Sequence, residues 1–256
     1  TTVGGFIVFE SQNTTKVDIR NCTLECPNMN GNISFYDIDG VLNFINNIYY
    51  NTGPTIGHNI SIWHKNYSNR STVIDFSNNV IRTDIALSGA PLTIGQDPHP
   101  YPNKITGVVE KNHFIHLNDT TAHGFIVLYE NAGVTVQHNK LNGLPVNGFK
   151  THGDSYILNI WKYNLHINAP LLAKGVDYGI FYNNTIVVNI YMADSLYLVS
   201  IGDNAVPGPA VDSTNCKVIN HIIAYTGTGT DMYMVRLDNA NNQLDYNIYY
   251  NKHFSC

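Results

Sequence analysis

Residues 123–168, HGFIVLYENAGVTVQHNKLNGLPVNGFKTHGDSYILNIWKYNLHIN, state one structural phrase twice. Each copy opens on a Gly-Phe strand (Gly124-Phe125, Gly148-Phe149) and passes a polar turn. Each then closes on a second strand that ends in an asparagine and a short apolar step (Asn139-Lys140-Leu141, Asn164-Leu165-His166-Ile167). The offset of about 25 residues falls in the window of solenoids and repeat arrays. If the phrase recurs throughout, the chain is a stack of coils, and function sits on the side of the stack.

It does recur. The closing phrase appears nine times, at VDIRNCTL (Asn21), LNFINNIYYN (Asn47), VIDFSNNVI (Asn79), GVVEKNHFI (Asn112), VTVQHNKL (Asn139), NIWKYNLHI (Asn164), YGIFYNNTIVVN (Asn184), CKVINHII (Asn220) and QLDYNIYYN (Asn247). The intervals run from 20 to 36 residues, as constant strands joined by unequal loops require. Period-two runs rich in Val, Ile, Tyr and Phe dominate, and no stretch keeps helical spacing. A preceding strand can be set in register with every copy: 4–11, 32–39, 59–65, 84–90, 124–130, 148–154, 170–175, 196–203 and 232–238. Asparagine suits this design twice over. It tolerates the left-handed conformation that sharp bends need, and stacked side-chain amides can satisfy one another away from water. The expected fold is therefore all-β, a right-handed parallel β-helix of about nine coils with an internal Asn ladder. It forms one domain over 1–256, with projecting loops at 52–58, 65–72, 90–104 and 202–215.

Composition excludes several classes. Charged residues are 13% and the net charge is −5, while Tyr number 17, Phe 10 and Asn 35. Low charge with many aromatics is the opposite of a disordered chain. Without a basic run, no nucleic-acid partner is expected. No apolar stretch approaches the length of a membrane span, so no membrane insertion is expected. The chain starts at Thr1 and stops at Cys256 beyond a strand-like segment, and both ends read as cuts through a longer or processed chain. Cys22 and Cys26 have a C-x3-C spacing without a second pair, which reads as free buried thiols rather than a zinc site, with a disulfide between two of the four cysteines left open. No metal and no cofactor are expected, and GTGTD (227–231) lacks the helix that a phosphate loop needs.

The V-x-x-N-x-I steps, the NIYYN endings at 47–51 and 247–251, and the phrase HGFIVLYENAGVTVQHN resemble the pectin-lyase-like β-helix superfamily. The likeness is to the repeat-rich forms of phage tailspikes and secreted bacterial polysaccharide-active proteins, and it covers nearly the whole chain. It implies the fold and says little of the activity. For the tailspike forms it also implies a homotrimer. QDPHPYP (96–102) resembles the DPH signature of β-helix alginate epimerases, but Pro100 stands where their acidic residue would be, so it reads as a rigid loop.

Candidate site residues come from strand alternation. With Phe125, Val127, Tyr129, Phe149, Thr151, Leu171, Ala173, Tyr197, Val199, Tyr233, Val235 and Leu237 inward, the outward set is Glu130, Lys150, His152, Asp154, Lys174, Ser200, Arg236 and Asp238. His152, Lys174, Ser200 and Arg236 are expected in one outward column. Such a stripe suits an acidic sugar polymer: Lys174, Ser200, Arg236 and Asp238 as substrate-binding residues, with Lys150, His152, Asp154 and Glu130 as catalytic candidates. Cations hold carboxylates, Lys or His serves as base and a carboxylate as acid, and Glu130 with Asp154 can meet the carboxylate separation of a hydrolase. The alternative is an ordinary solvated face. His113, His116, His138, His166 and His221 read as structural, and Trp63 and Trp161 as packing residues or sugar-stacking rings.

The function expected is that of a virion tailspike or fibre piece, extracellular or on the virion surface, that binds a bacterial surface polysaccharide, with its depolymerisation left open. A secreted polysaccharide lyase or epimerase, and a purely structural β-helical spacer, are the other readings.

Overall fold

A computed structural model of the chain describes residues 7–10, 15–26, 32–52, 59–64, 70–84, 90–96, 104–116, 125–129, 132–143, 149–151, 159–173, 178–190, 197–202, 213–228, 233–238 and 241–252. Among these residues there are 27 strands and no helix. They form three parallel sheets of nine strands each, and the neighbours in every sheet are three strands apart in sequence. Successive strands thus visit the first, second and third sheet in turn, and each round lays one layer on the last. This arrangement is compatible with a parallel β-helix.

Alternation places the core. In the first sheet Ile33, Ile60, Leu92 and Ile126 stand in register, as do Phe35, Ile62, Ile94 and Leu128, and all are buried. In the second, Phe44 lies against Phe76 with ring centroids 5.0 Å apart, and Phe76 against Phe114 of the third at 6.4 Å. Each fully buried ring contributes on the order of 2–3 kcal/mol by leaving water, and Val109 and Val136 continue the Phe44–Phe76 column in the next two layers.

The corner between the second and third sheets explains the asparagines, and separates two jobs that the sequence runs together. One residue turns the chain with a left-handed backbone: Asn21, Asn46, Asn78, Lys111, His138, Tyr163, Asn183, Asn220 and Tyr246, with φ from 51 to 57°. The next residue points inward. Asn47, Asn79, Asn112, Asn139, Asn164 and Asn184 are buried there, and each side-chain carbonyl accepts the backbone N–H of the equivalent residue one layer earlier at 2.8–3.0 Å. Each side-chain amide donates to the backbone carbonyl three residues before that earlier position, for instance Asn139 to Val109 at 2.9 Å. Asn79, Asn112, Asn139 and Asn164 also donate to the next Asn side chain. Two expected positions are displaced: Asn21 and Asn220 are exposed corner residues, and Cys22 and His221 take the inward place. The dipeptides Asn46-Asn47, Asn78-Asn79 and Asn183-Asn184 hide which of the two asparagines does which job.

One strand is also relocated. The stretch 84–90 was expected to pair in the first sheet, with 90–104 as a loop. The strand is Leu92–Gln96, in register with Ile60–His64, while Asp84 follows the third-sheet strand Val80–Thr83. Pro91 and Gly95 suggest a loop, yet a proline just ahead of a strand costs no ladder bond. Gly95 is required: a Cβ there would lie 2.4 Å from the Tyr129 Cβ and 3.0 Å from the Trp63 ring.

Candidate functional site: the outer face of the first sheet

Backbone register on the first sheet sets two rows of positions that alternate with the core residues. The first runs Val8, Ser34, Ser61, Thr93, Val127, Lys150, Leu172, Ser200, Arg236. The second begins Glu10, Tyr36, Trp63, Gly95, with Tyr129 held next in line by its N–H on the Ile94 carbonyl. Farther along it contains Gly202 and Asp238, whose N–H groups donate to Ala173 and Ile201.

Of the expected site residues, Glu130, His152, Asp154 and Lys174 lie outside the described residues. The backbone of Lys150 stands between Val127 and Leu172. Ser200 stands between Leu172 and Arg236 rather than beside Lys174, so the expected column is out of step by two residues. Ser200 is fully buried and its hydroxyl has no hydrogen-bond partner. Arg236 and Asp238 come together: the guanidinium Nε donates to the Asp238 carboxylate and the group lies 5.1 Å above the Tyr197 ring. Asp238 pushes the Arg236 pKa up, with Tyr197 adding to it.

Val127 and Tyr129, expected inward, face outward. Aligning the two Gly-Phe copies equates Phe149 with Phe125, but the sheet pairs Phe149 with Ile126. A one-residue slip moves every side chain of a strand to the other face. The corrected register brings Trp63 and Tyr129 together edge-to-face over Gly95, with centroids 5.1 Å apart. Both rings are half-buried. A second cluster, not foreseen, sits on the third sheet: Arg82 holds Asp84 through Nε at 2.9 Å and Nη2 at 2.8 Å, and Tyr50 donates to the same carboxylate at 2.8 Å. The Arg82 guanidinium holds Asp84 below the usual carboxylate range, helped by the Tyr50 hydroxyl. The R-x-D spacing at 82–84 and 236–238 was the available signal: two residues apart on a strand share a face.

The histidines divide. His116, His166 and His221 are buried, and His138 is an exposed corner residue whose ring stacks on Tyr163 at 5.1 Å. His166 accepts from the indole N–H of buried Trp161 at 3.0 Å, and its Nδ1 lies 2.9 Å from the Ala169 carbonyl, which fixes a neutral Nδ1–H ring. Trp161 is therefore a core residue. Burial drives the pKa of His166 down to about 4. Burial does the same for His221; the Phe181 carbonyl opposes that shift, but neither ring nitrogen makes a well-aligned hydrogen bond.

Among the described residues, no three His, Cys, Asp or Glu side chains gather in a metal-binding group, and Cys22 and Cys26 are free thiols. No helix among them is long and apolar enough to cross a membrane. Comparison of the chain with protein-family models, with curated proteins and with solved structures finds no match.

Proposed function

We propose that the chain is a right-handed parallel β-helix of about nine coils, one domain with an internal Asn ladder, from a virion tailspike or fibre. It binds an acidic bacterial surface polysaccharide along the outer face of its first sheet. The observation that carries this reading is the Arg236 guanidinium with Asp238 and Tyr197 beside it; in backbone register its row continues through Ser200 and Leu172 to Lys150. Cations along a flat face hold successive carboxylates of an extended polymer, and a half-exposed aromatic ring beside one of them packs the sugar between them. Depolymerisation falls to Lys150 or His152 as base and Asp154 or Glu130 as acid, with Lys174 as a further cation. The setting is extracellular, on the virion surface. Exposed Ile48, Ile222 and Ile248, in one outward column of the third sheet, support a homotrimer that covers that face.

Retention of the intact protein on immobilised uronic-acid and neutral capsular polysaccharides tests the reading, with unsaturated sugar ends followed in the ultraviolet. The expected result is retention on an acidic polymer, weakened at least about tenfold by Lys150→Ala or Arg236→Ala, the loss of one charge-assisted contact. Unchanged retention by both variants refutes the assignment of this face.

A further inference from the structure

We propose that the outer face of the first sheet also carries a stacking site for an uncharged pyranose ring, built by Trp63 and Tyr129 across Gly95, with Tyr36 alongside. This rests on the reading of that face as a glycan surface and adds a second subsite, several layers from Arg236, that takes a different kind of sugar.

Trp63 and Tyr129 stand on strands two apart, so their backbones are roughly 10 Å from each other. Their rings meet only because the strand between them has no side chain at position 95. The glycine serves nothing in the interior. Neither ring belongs to the hydrophobic core, whose first-sheet members in these layers are Ile60, Ile62, Leu92, Ile94, Ile126 and Leu128. Tyr36, in register with Trp63, extends the aromatic line by one layer. What the arrangement creates is a half-exposed aromatic surface outside the protein.

Its surroundings define the ligand. None of the platform's rings is charged, and burial pushes the Tyr129 phenol up, further from ionising. Beside it, in the neighbouring outward column, are the hydroxyl-bearing Ser61 and Thr93, the latter with a buried hydroxyl that has no partner. At the other edge Asp37 follows Tyr36, and Arg70 Nη1 lies 3.8 Å from its carboxylate and 2.5 Å from its carbonyl. An apolar centre with polar edges fits a ligand that is apolar on its face and hydroxylated around its rim. A pyranose has that form: its axial C–H bonds lie against the negative face of an aromatic ring, and its hydroxyls reach the rim.

The chain has two tryptophans, and Trp161 is buried, so a ligand-induced change in emission reports on Trp63. The intact protein is titrated with short linear glucan and galactan oligosaccharides. The expected result is a saturable change in emission, lost in Trp63→Leu and weakened about tenfold in Tyr129→Leu, the scale of losing one stacked ring. Tyr129→Phe retains it, and Arg236→Ala, which weakens retention of the acidic polymer, leaves it unchanged. A folded Trp63→Leu variant that binds the neutral sugars as well as the parent, measured by calorimetry, overturns the proposal. So does acidic-polymer retention with no response to any neutral sugar, which leaves the broader glycan reading standing. Failure with both kinds of glycan overturns the two together, and saturation by an apolar peptide in place of sugar assigns the rings to a protein partner and overturns the stacking site.

Discussion

His221→Asn should make the protein more stable, and more so in acid. In neighbouring layers the inward residue after the corner is an asparagine that accepts one backbone N–H and donates to one carbonyl, as Asn184 does with Asn164 N–H at 2.9 Å and the Trp161 carbonyl at 3.0 Å. At His221 the ring offers no acceptor in that geometry to the Asn184 N–H, and both its nitrogens are buried without a good partner. Asparagine supplies two bonds of about 1 kcal/mol each, offset by about 1 kcal/mol for the smaller side chain. The net gain near neutral pH is about 1 kcal/mol.

Acid widens the difference. The folded pKa of His221 is depressed from 6.5 to about 4. A depressed histidine contributes stability that is complete above the unfolded pKa and is lost as pH falls from about 6.5 toward about 4. The full gap is worth ~3 kcal/mol, and asparagine does not have it. His166, which His221 also holds down, remains in both proteins and loses a repulsive neighbour in the variant. Guanidinium unfolding midpoints near pH 7 and near pH 5 should show the variant ahead at both, with the larger lead in acid. A variant less stable near pH 7, with the same acid slope as the parent, refutes the argument.

Asn139→Ala strands the Asn112 N–H and the Val109 carbonyl and removes one of two donors to the Asn164 side-chain carbonyl, which keeps the residue-139 N–H, and should cost ~2–4 kcal/mol in a denaturant titration. Asn220→Ala, at an exposed corner, should cost less than about 1 kcal/mol, and equal losses would contradict the division of roles. Gly107→Ala should lower stability by about 3 kcal/mol in thermal melts, because φ is 116° and the new Cβ would lie 2.1 Å from the Ile74 carbonyl oxygen.

Strand content and parallel layering were legible because the Val/Ile alternation and the repeated Asn survive unequal loops. The corner was half legible. Asparagine was visible, but Lys111, His138, Tyr163 and Tyr246 occupy left-handed positions that no propensity would assign to them. The strand there is already ended by its neighbours, so the layers above and below over-determine the turn. Side-chain direction was legible where Leu171 and Ala173 alternate, and failed at 125–129. Phe125, Ile126, Val127 and Leu128 are all apolar and all buried, so the run has no hydrophobic phase to read. The Leu92–Gln96 strand was hidden by Pro91 and Gly95. The candidate site inherited both faults: an unphased strand lost Tyr129, and with it the partner of Trp63.

The corner row also has a geometric use. Asn21, Asn46, Asn78, Lys111, His138, Tyr163, Asn220 and Tyr246 are exposed, with Asn183 half-buried among them, and successive members rise by one strand spacing, roughly 4.8 Å. Because the backbone there is fixed by the layers rather than by residue type, the row is a molecular ruler. Cysteines placed at chosen pairs would set two labels apart by whole multiples of one strand spacing, along a straight edge whose divisions the fold itself maintains.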